Sequence, residues 1–206
     1  MKYVLSAAAC LLLAVPAQGE EFGQLHDAIR YCQPKTQDPQ LIISSCLKAI
    51  DSNLIDRDAL AEAWINVAAA HLMLKQFDDA GAAASHAIDA DPNKWQAYVD
   101  RAIVEFTQKK AQDAENDLDK AISLAPREIG PVQTRGRLYL AEGRFDLAVA
   151  DLSAAIALDS DAAQAYGLRA IAYDKQGKHD LAAADRAELQ KRDPDDKFGL
   201  LHPKTN

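Results

Sequence analysis

The amino-acid sequence predicts an all-α protein, an α-solenoid of antiparallel helix pairs, on three observations. Residue types recur with a period of about 34 residues over four successive rows that begin at Ala61. Within the rows, apolar residues recur at spacings of three and four, as at Leu118, Ala121 and Ile122, so each helix has one apolar face. The chain includes only nine Gly and eight Pro, and no stretch alternates between apolar and polar residues as a half-buried strand would. The pattern indicates four helical repeats preceded by a degenerate helical pair.

Residues 1–19 resemble a signal peptide in their order of charge and hydropathy. Lys2 is followed by an uncharged run from Tyr3 to Val15, and the small residue Ala17 fits signal-peptidase cleavage, with Gly19 as a second candidate. The apolar run is about a dozen residues, whereas a membrane-spanning helix needs about 20. We therefore expect an exported mature chain with no stable membrane insertion; the alternative is an uncleaved anchor.

Two cysteines remain when this segment is removed together with Cys10. Cys32 and Cys46 are expected to form a disulfide, because paired cysteines in an exported chain are more often bonded than free. The bond requires Cα atoms within about 7 Å of each other. The five histidines are scattered, with no HxxxH or CxxC spacing, so we expect no metal site.

Residues 20–56 are expected to form an N-terminal capping pair of helices. Pro34 ends the first helix, and Asp38 opens the second as its N-cap, with Pro39 in the first turn. The predicted apolar stripes are Phe22, Leu25, Ile29 and Cys32 on the first helix and Ile42, Cys46, Ala49 and Ile50 on the second.

Residues 57–196 are expected to form the repeat domain. The predicted repeats are about 61–94, 95–128, 129–162 and 163–196. Two columns hold small residues where the helices of a repeat cross closely: Ala80, Ala114, Ala148 and Ala182, and Ala68, Ala102, Gly136 and Ala170. A bulky column and a helix-stopping column complete the pattern: Trp64, Tyr98, Val132 and Tyr166, and Pro92, Pro126, Ser160 and Pro194.

The first row follows one order of residue types, bulky, small, aromatic, aromatic, small, small, proline, with His71 at the first aromatic position. The first row has Trp64, Ala68, His71, Phe77, Ala80, Ala87 and Pro92. This order resembles the tetratricopeptide repeat (TPR), and the resemblance covers roughly Ala61 to Asp196. The departures are His71 and Glu105 in place of an aromatic residue, and Ser160 in place of proline.

Two charged columns lie sixteen positions apart and occur together. They pair Arg101 with Asp117, Arg135 with Asp151, and Arg169 with Asp185. The first row has Val67 and Ala83 at these positions, so both charges are absent there. This joint occurrence predicts guanidinium–carboxylate bridges, within a repeat or between neighbouring repeats. A row of ligand-binding arginines is the alternative, although such a row would not need a carboxylate each time. The arginine and aspartate columns also resemble TPR proteins of Gram-negative cell envelopes, which implies a periplasmic location.

The last helix is expected to end the solenoid with a polar outer face. Arg186 and Gln190 stand where earlier rows have apolar residues. Residues 197–206 follow as a tail without periodicity.

Nothing in the sequence predicts catalysis or a cofactor. There is no GxSxG, Walker, HExxH or CxxC motif. The formal net charge of −8 would be repelled by phosphate backbones, so nucleic acid is not an expected partner.

The resemblance implies that the first helix of each repeat lines a concave groove that binds a protein or peptide. The expected groove residues are Ile65, Asn66, Ala69, Leu72, Val99, Asp100, Ile103, Phe106, Gln133, Arg137, Leu140, Leu168 and Ile171. This surface is mostly apolar, which suits an amphipathic helix or an extended apolar segment. Two alternatives stay open: the groove is filled by helix packing or by the chain's own tail, or the protein is a structural subunit without a separable ligand. The sequence does not determine the oligomeric state.

Overall fold

The computed structural model describes Cys32 and residues 38–201. These residues form nine α-helices and no strand, so the all-α prediction is confirmed. The helices are α1 (Pro39–Asp51), α2 (Arg57–Met73), α3 (Phe77–Ala90), α4 (Trp95–Thr107), α5 (Ala111–Leu124), α6 (Ile129–Ala141), α7 (Phe145–Leu158), α8 (Ala163–Lys175) and α9 (His179–Arg192). The predicted signal peptide, most of the predicted first capping helix and residues 202–206 lie outside the described residues.

Helix α1 begins where the sequence predicts. The Asp38 side chain accepts a hydrogen bond from the Gln40 backbone N–H at 3.0 Å, and Pro39 occupies the first turn. Helix α2 extends further towards the N-terminus than the first predicted repeat. It starts at Arg57 because the Asp56 side chain caps it by accepting a hydrogen bond from the Ala59 N–H at 2.8 Å.

The eight helices from α2 to α9 pack as four antiparallel pairs, one pair per repeat. Close approach within a pair depends on small residues. Ala80, Ala114, Ala148 and Ala182 are all fully buried. A Cβ atom added at Gly136 would lie 2.9 Å from Leu152 Cγ, so even alanine there would force Leu152 or the two helices to shift.

The turn inside each repeat needs one residue with a left-handed backbone. Two repeats place glycine there, Gly143 and Gly177, with φ of 76° and 74°. The other two place lysine, Lys75 and Lys109, with φ of 58° and 63°. In each turn the next N–H bonds back to the preceding helix, as Lys110 N does to the Glu105 carbonyl at 2.9 Å. This is a Schellman-type C-cap, which favours glycine.

The first helices of the repeats lie on the inner side of the solenoid. Successive first helices contact one another, α2 with α4, α4 with α6 and α6 with α8, whereas no described second helix contacts another second helix. The α2, α4, α6 and α8 side of the stack is therefore the concave side. We call the exposed part of it, formed by these four helices, the groove face.

The C-terminal segment, which was expected to be a tail without periodicity, contains one residue that continues the repeat. Leu200 packs against Tyr166 and Leu189, and a Cβ atom added at Gly167 would lie 2.7 Å from Leu200 Cδ1. Leu200 lies one repeat length after Tyr166, so it fills the bulky position of a fifth row without forming a helix. The solenoid is therefore closed by an apolar side chain as well as by the polar face of α9.

Candidate functional site

All thirteen expected groove residues lie on the first helices, but their exposures differ. Ile65 and Leu168 are only 7% exposed and belong to apolar clusters between helices, so they serve packing and offer no surface to a ligand. Exposed or partly exposed are Asn66, Ala69, Leu72, Val99, Asp100, Ile103, Phe106, Gln133, Arg137, Leu140 and Ile171. Met73 is 62% exposed at the end of α2 and extends this surface.

A cavity of about 340 Å³ opens on the groove face between α4 and α6. Its walls combine three expected groove residues with six others, and most of them are apolar. They are Ala102, Ile103, Phe106 and Thr107 of α4, Leu118 of α5, and Thr134, Arg137, Leu138 and Ala141 of α6. Thr107 and Ala141 occupy the same repeat position as Met73, each one repeat length further along the chain. The repeat pattern could therefore have identified them as groove residues.

At the N-terminal end of the groove face, Asn66 is hydrogen-bonded to the chain's own backbone. Asn66 Nδ2 donates a hydrogen bond to the Cys32 carbonyl oxygen at 2.8 Å. Cys32 is also joined to Cys46 by a disulfide, with Cα atoms 4.5 Å apart. Cys32 is thus tied both to α1 and to α2, and Asn66 is engaged there instead of facing a ligand.

Asp100 lies one helical turn before Ile103 on the same face of α4. Its side chain is partly exposed, and no cation or hydrogen-bond donor among the described residues pairs with it. Neighbouring protein atoms remove much of the hydration of the carboxyl group, and this desolvation raises the pKa of Asp100 to about 7. By contrast, Asp58 and Glu62 of α2 share the Lys94 ammonium group at 2.8 and 2.6 Å.

Arg137 is exposed at the rim of the cavity and makes no hydrogen bond or ion pair with the described residues. The arginines of the charged column have a different environment. Arg101, Arg135 and Arg169 each bond an aspartate on the second helix of the same repeat. Arg137 is therefore the guanidinium of α6 that remains available on the groove face.

The three arginine–aspartate pairs are two-bond contacts inside the scaffold. Arg101 Nε and Nη2 lie 2.6 and 2.8 Å from the two carboxylate oxygens of Asp117. Arg135 binds Asp151 in the same way, at 2.7 and 2.9 Å. These contacts join the two helices of one repeat.

Neighbouring repeats are joined through the remaining guanidinium nitrogen. Arg135 Nη1 also bonds Asp119 of α5, and Arg169 Nη1 donates to Ser153 Oγ of α7 at 2.9 Å. Each of these arginines therefore connects three helices. This role is structural, and the contacts do not face the groove.

Glu105 occupies the position where the next two rows have tyrosine. Its Oε2 atom is buried and has no hydrogen-bond partner among the described residues. Desolvation, with the nearby negative charge of Asp117, raises the pKa of Glu105 to about 7. In the following row, the Tyr139 hydroxyl instead donates a hydrogen bond to Glu115 Oε1 at 2.6 Å. The tyrosine at this repeat position therefore has a hydrogen-bond partner that Glu105 Oε2 lacks.

The two carboxylates with a raised pKa among the described residues do not form a catalytic pair. Asp100 and Glu105 are five positions apart in α4, which places them about 140° apart around the helix. In the part of the chain that the structure describes, no three His, Cys, Asp or Glu side chains are grouped so as to hold a metal ion. The same residues include no helix long and apolar enough to cross a bilayer.

Comparison with solved structures gives the same architecture. A crystal structure of MamA matches with a TM-score of 0.64 at 18% identity, covering 91% of this chain and 98% of that chain. MamA residues 41 to the end from Desulfovibrio magneticus RS-1 match with a TM-score of 0.67 at 14% identity, covering 88% and 99%. TTC0263, a thermophilic TPR protein of Thermus thermophilus, matches with a TM-score of 0.68 at 21% identity, covering 87% and 94%. At these identities the similarity concerns the fold.

The sequence itself matches a family model in two segments, residues 68–129 and 134–197, which together cover more than half of the chain. A search of curated protein sequences found no match. The matched segments contain the small, bulky and proline columns from the second row onwards and most of the first. The chain belongs to the tetratricopeptide repeat family.

Proposed function

We propose that this protein is a periplasmic scaffold that binds a peptide or protein segment on the groove face. Tetratricopeptide repeats are protein–protein interaction modules, and the described residues form four of them in one continuous stack. The observation that carries the proposal is the apolar cavity between α4 and α6, which opens on the inner side of the stack.

The cavity is suited to an apolar side chain of the partner. Ile103, Phe106 and Leu138 form much of its wall, and at about 340 Å³ it falls within the size range of ligand pockets. Burial of one leucine or phenylalanine side chain contributes about 1.5–3 kcal/mol. One such anchor gives weak binding, so we expect the segment to run on across neighbouring first helices and to contact Leu72 and Leu140 as well.

A second candidate is a structural subunit that assembles through its outer side. Leu147 of α7 and Leu181 of α9 are 43% and 49% exposed, and they lie one repeat length apart, so they repeat along the second helices. Light scattering of the mature protein distinguishes the two: a monomer favours the groove scaffold, and a fixed oligomer that Leu147→Ser dissociates favours the subunit.

The periplasmic location rests on the apolar run that follows Lys2. Sequencing of the N-terminus of protein isolated from its own cells should find a mature chain that begins near Gln18 or Glu20. An intact Met1 in a cytosolic fraction would refute export and leave groove binding untouched.

Site-specific photo-crosslinking tests groove binding directly. A benzophenone amino acid placed at Ala69 or Ala141 would lie on the groove face, and one placed at Ala154 or Ala183 would lie on exposed second-helix positions as a control. The scaffold account expects one defined adduct from the first two positions and none from the controls. Adducts from Ala154 and Ala183 alone would overturn it in favour of the structural subunit.

A further inference from the structure

The groove face contains an acidic group that the fold does not use. Asp100 has neither an ion pair nor a hydrogen bond within the described residues, whereas the three aspartates buried between the two helices of a repeat, Asp117, Asp151 and Asp185, all have arginine partners. A carboxylate withdrawn from water without a partner costs free energy, and a cation that reaches it recovers that cost.

Asp100 lies beside the apolar cavity and not apart from it. Ile103 follows it by three positions and Thr107 by seven, so these three side chains share one face of α4, and the last two line the cavity. Thr134 occupies the position of Asp100 in the next row and lines the same cavity from α6. A bound segment that fills the cavity therefore passes Asp100 within about one helical turn.

We propose that the groove between α4 and α6 selects segments in which a lysine or arginine lies next to an apolar anchor residue, with the cation bound to Asp100 and the anchor in the cavity. The inference rests on the proposed groove function and names the chemistry of the partner. The net charge of −8 supports it, because an acidic protein attracts a basic segment before contact.

The position of Arg137 sets the orientation of the segment. Arg137 lies on α6 at the rim of the cavity, three positions after Thr134 on the same helix face. The groove thus offers an anion at the Asp100 end and a cation at the Arg137 end. A basic residue at the Arg137 end would meet like charge, which disfavours the reversed direction.

A phage-displayed library of random dodecapeptides is the probe, selected in parallel on the wild-type protein, Asp100→Asn and Asp89→Asn. Asp89→Asn is the matched control, since it makes the same change at an exposed site on α3. Peptides selected by the wild type and by Asp89→Asn should be enriched in a basic residue beside an apolar one. Peptides selected by Asp100→Asn should lack that enrichment.

Affinities measured by calorimetry complete the test. The strongest wild-type peptide should bind Asp100→Asn about tenfold to a hundredfold more weakly, as expected for a lost charge-assisted contact. Replacement of the basic residue of this peptide by norleucine should weaken binding to the wild type by a similar factor. The same replacement should not weaken binding to Asp100→Asn any further. Equal affinities of wild type and Asp100→Asn for the basic peptide would overturn the inference.

Phe106→Ala separates this inference from the proposed function. Loss of binding in Phe106→Ala with full binding in Asp100→Asn would leave the groove function standing and refute the role of Asp100. Peptide binding unaffected by Phe106→Ala, or a selection that yields no peptide, would contradict both. Thermal unfolding of each variant shows that it is folded, and Asp100→Asn is expected to melt no lower than the wild type because it removes a desolvated charge.

Discussion

Arg169 donates two hydrogen bonds to Asp185, from Nε at 2.8 Å and from Nη2 at 2.7 Å, and so joins α8 to α9. The side chains are 17% and 8% exposed, which makes this the least exposed of the three pairs. Arg169→Val or Asp185→Ala alone should lower the free energy of unfolding by about 3 kcal/mol, because each leaves a largely buried charge unpaired. The double variant reproduces the residue types of Val67 and Ala83, which are buried together in the first repeat. It should therefore cost less than the sum of the two single changes.

Urea unfolding of the four proteins in this cycle measures the coupling between the two residues. Strictly additive losses would contradict the bridge. The lost Arg169 contact to Ser153 affects the single and double arginine variants equally, so it cancels in the cycle.

Lys109 has a left-handed backbone with φ of 63° where the later repeats have glycine. Lys109→Gly should raise the free energy of unfolding by about 0.5–1 kcal/mol, since glycine adopts this conformation without a steric penalty. Gly143→Lys, the reverse change in the third repeat, should lower it by a similar amount. A lower melting temperature for Lys109→Gly would show that the lysine side chain contributes more than the backbone costs.

Glu105 makes the stability depend on pH. Its pKa rises from the ordinary 4.5 to about 7 on folding, so the folded state holds the proton more tightly than the unfolded state between these values. Stability should therefore fall as the pH rises from about 4.5 to 7 and change little from this group above that. Glu105→Gln should be more stable than the wild type at pH 8, by about 1 kcal/mol for a partly exposed group, and the difference should shrink at pH 5.

Urea unfolding at the two pH values checks this prediction. Asp100 titrates in the same sense, because burial also raises its pKa to about 7, so the double variant Asp100→Asn with Glu105→Gln should lose most of the slope. An unchanged slope in the double variant would mean that other groups govern the pH dependence.

The Cys32–Cys46 disulfide closes a loop with a sequence separation of 14. Its reduction should lower the free energy of unfolding by about 3 kcal/mol on loop-closure entropy. Thiol titration of the mature protein, unfolded without reductant, should find no free thiol, since Cys10 is expected to leave with the predicted signal peptide. Two reactive thiols per mature chain would refute the pairing, and Asn66→Ala serves as a control that loosens Cys32 without touching the sulfur atoms.

The repeat register predicted most of the fold because it reports directly on packing. A column of four alanines, such as that of Ala148, is favoured where two helices nearly touch, and the structure buries all four completely. The arginine and aspartate columns were informative for a similar reason: their joint absence in the first row implied a direct contact, and Arg135 indeed lies 2.7 Å from Asp151.

Contacts that do not recur with the repeat could not be predicted from the repeat pattern. Leu200 closes the solenoid from an irregular segment and not from a helix, and Asn66 bonds a backbone carbonyl, which carries no sequence signal. The unpaired state of Asp100 depends on which side chains the neighbouring first helices bring near it. The sequence predicted that Asp100 lies on the groove face. It could not show that Asp100 has no cationic partner among the described residues.

Methyl NMR of the mature protein with a library-selected peptide tests the central claim, that the groove face is the binding surface. The methyl signals of Ile103 and Leu138 report on the cavity, and those of Leu147 and Leu181 report on the exposed second helices. The account predicts that a saturating peptide shifts or broadens Ile103 and Leu138 and leaves Leu147 and Leu181 unchanged. Shifts at Leu147 and Leu181 with Ile103 and Leu138 unperturbed would place the binding surface on the outer side of the solenoid and contradict the account.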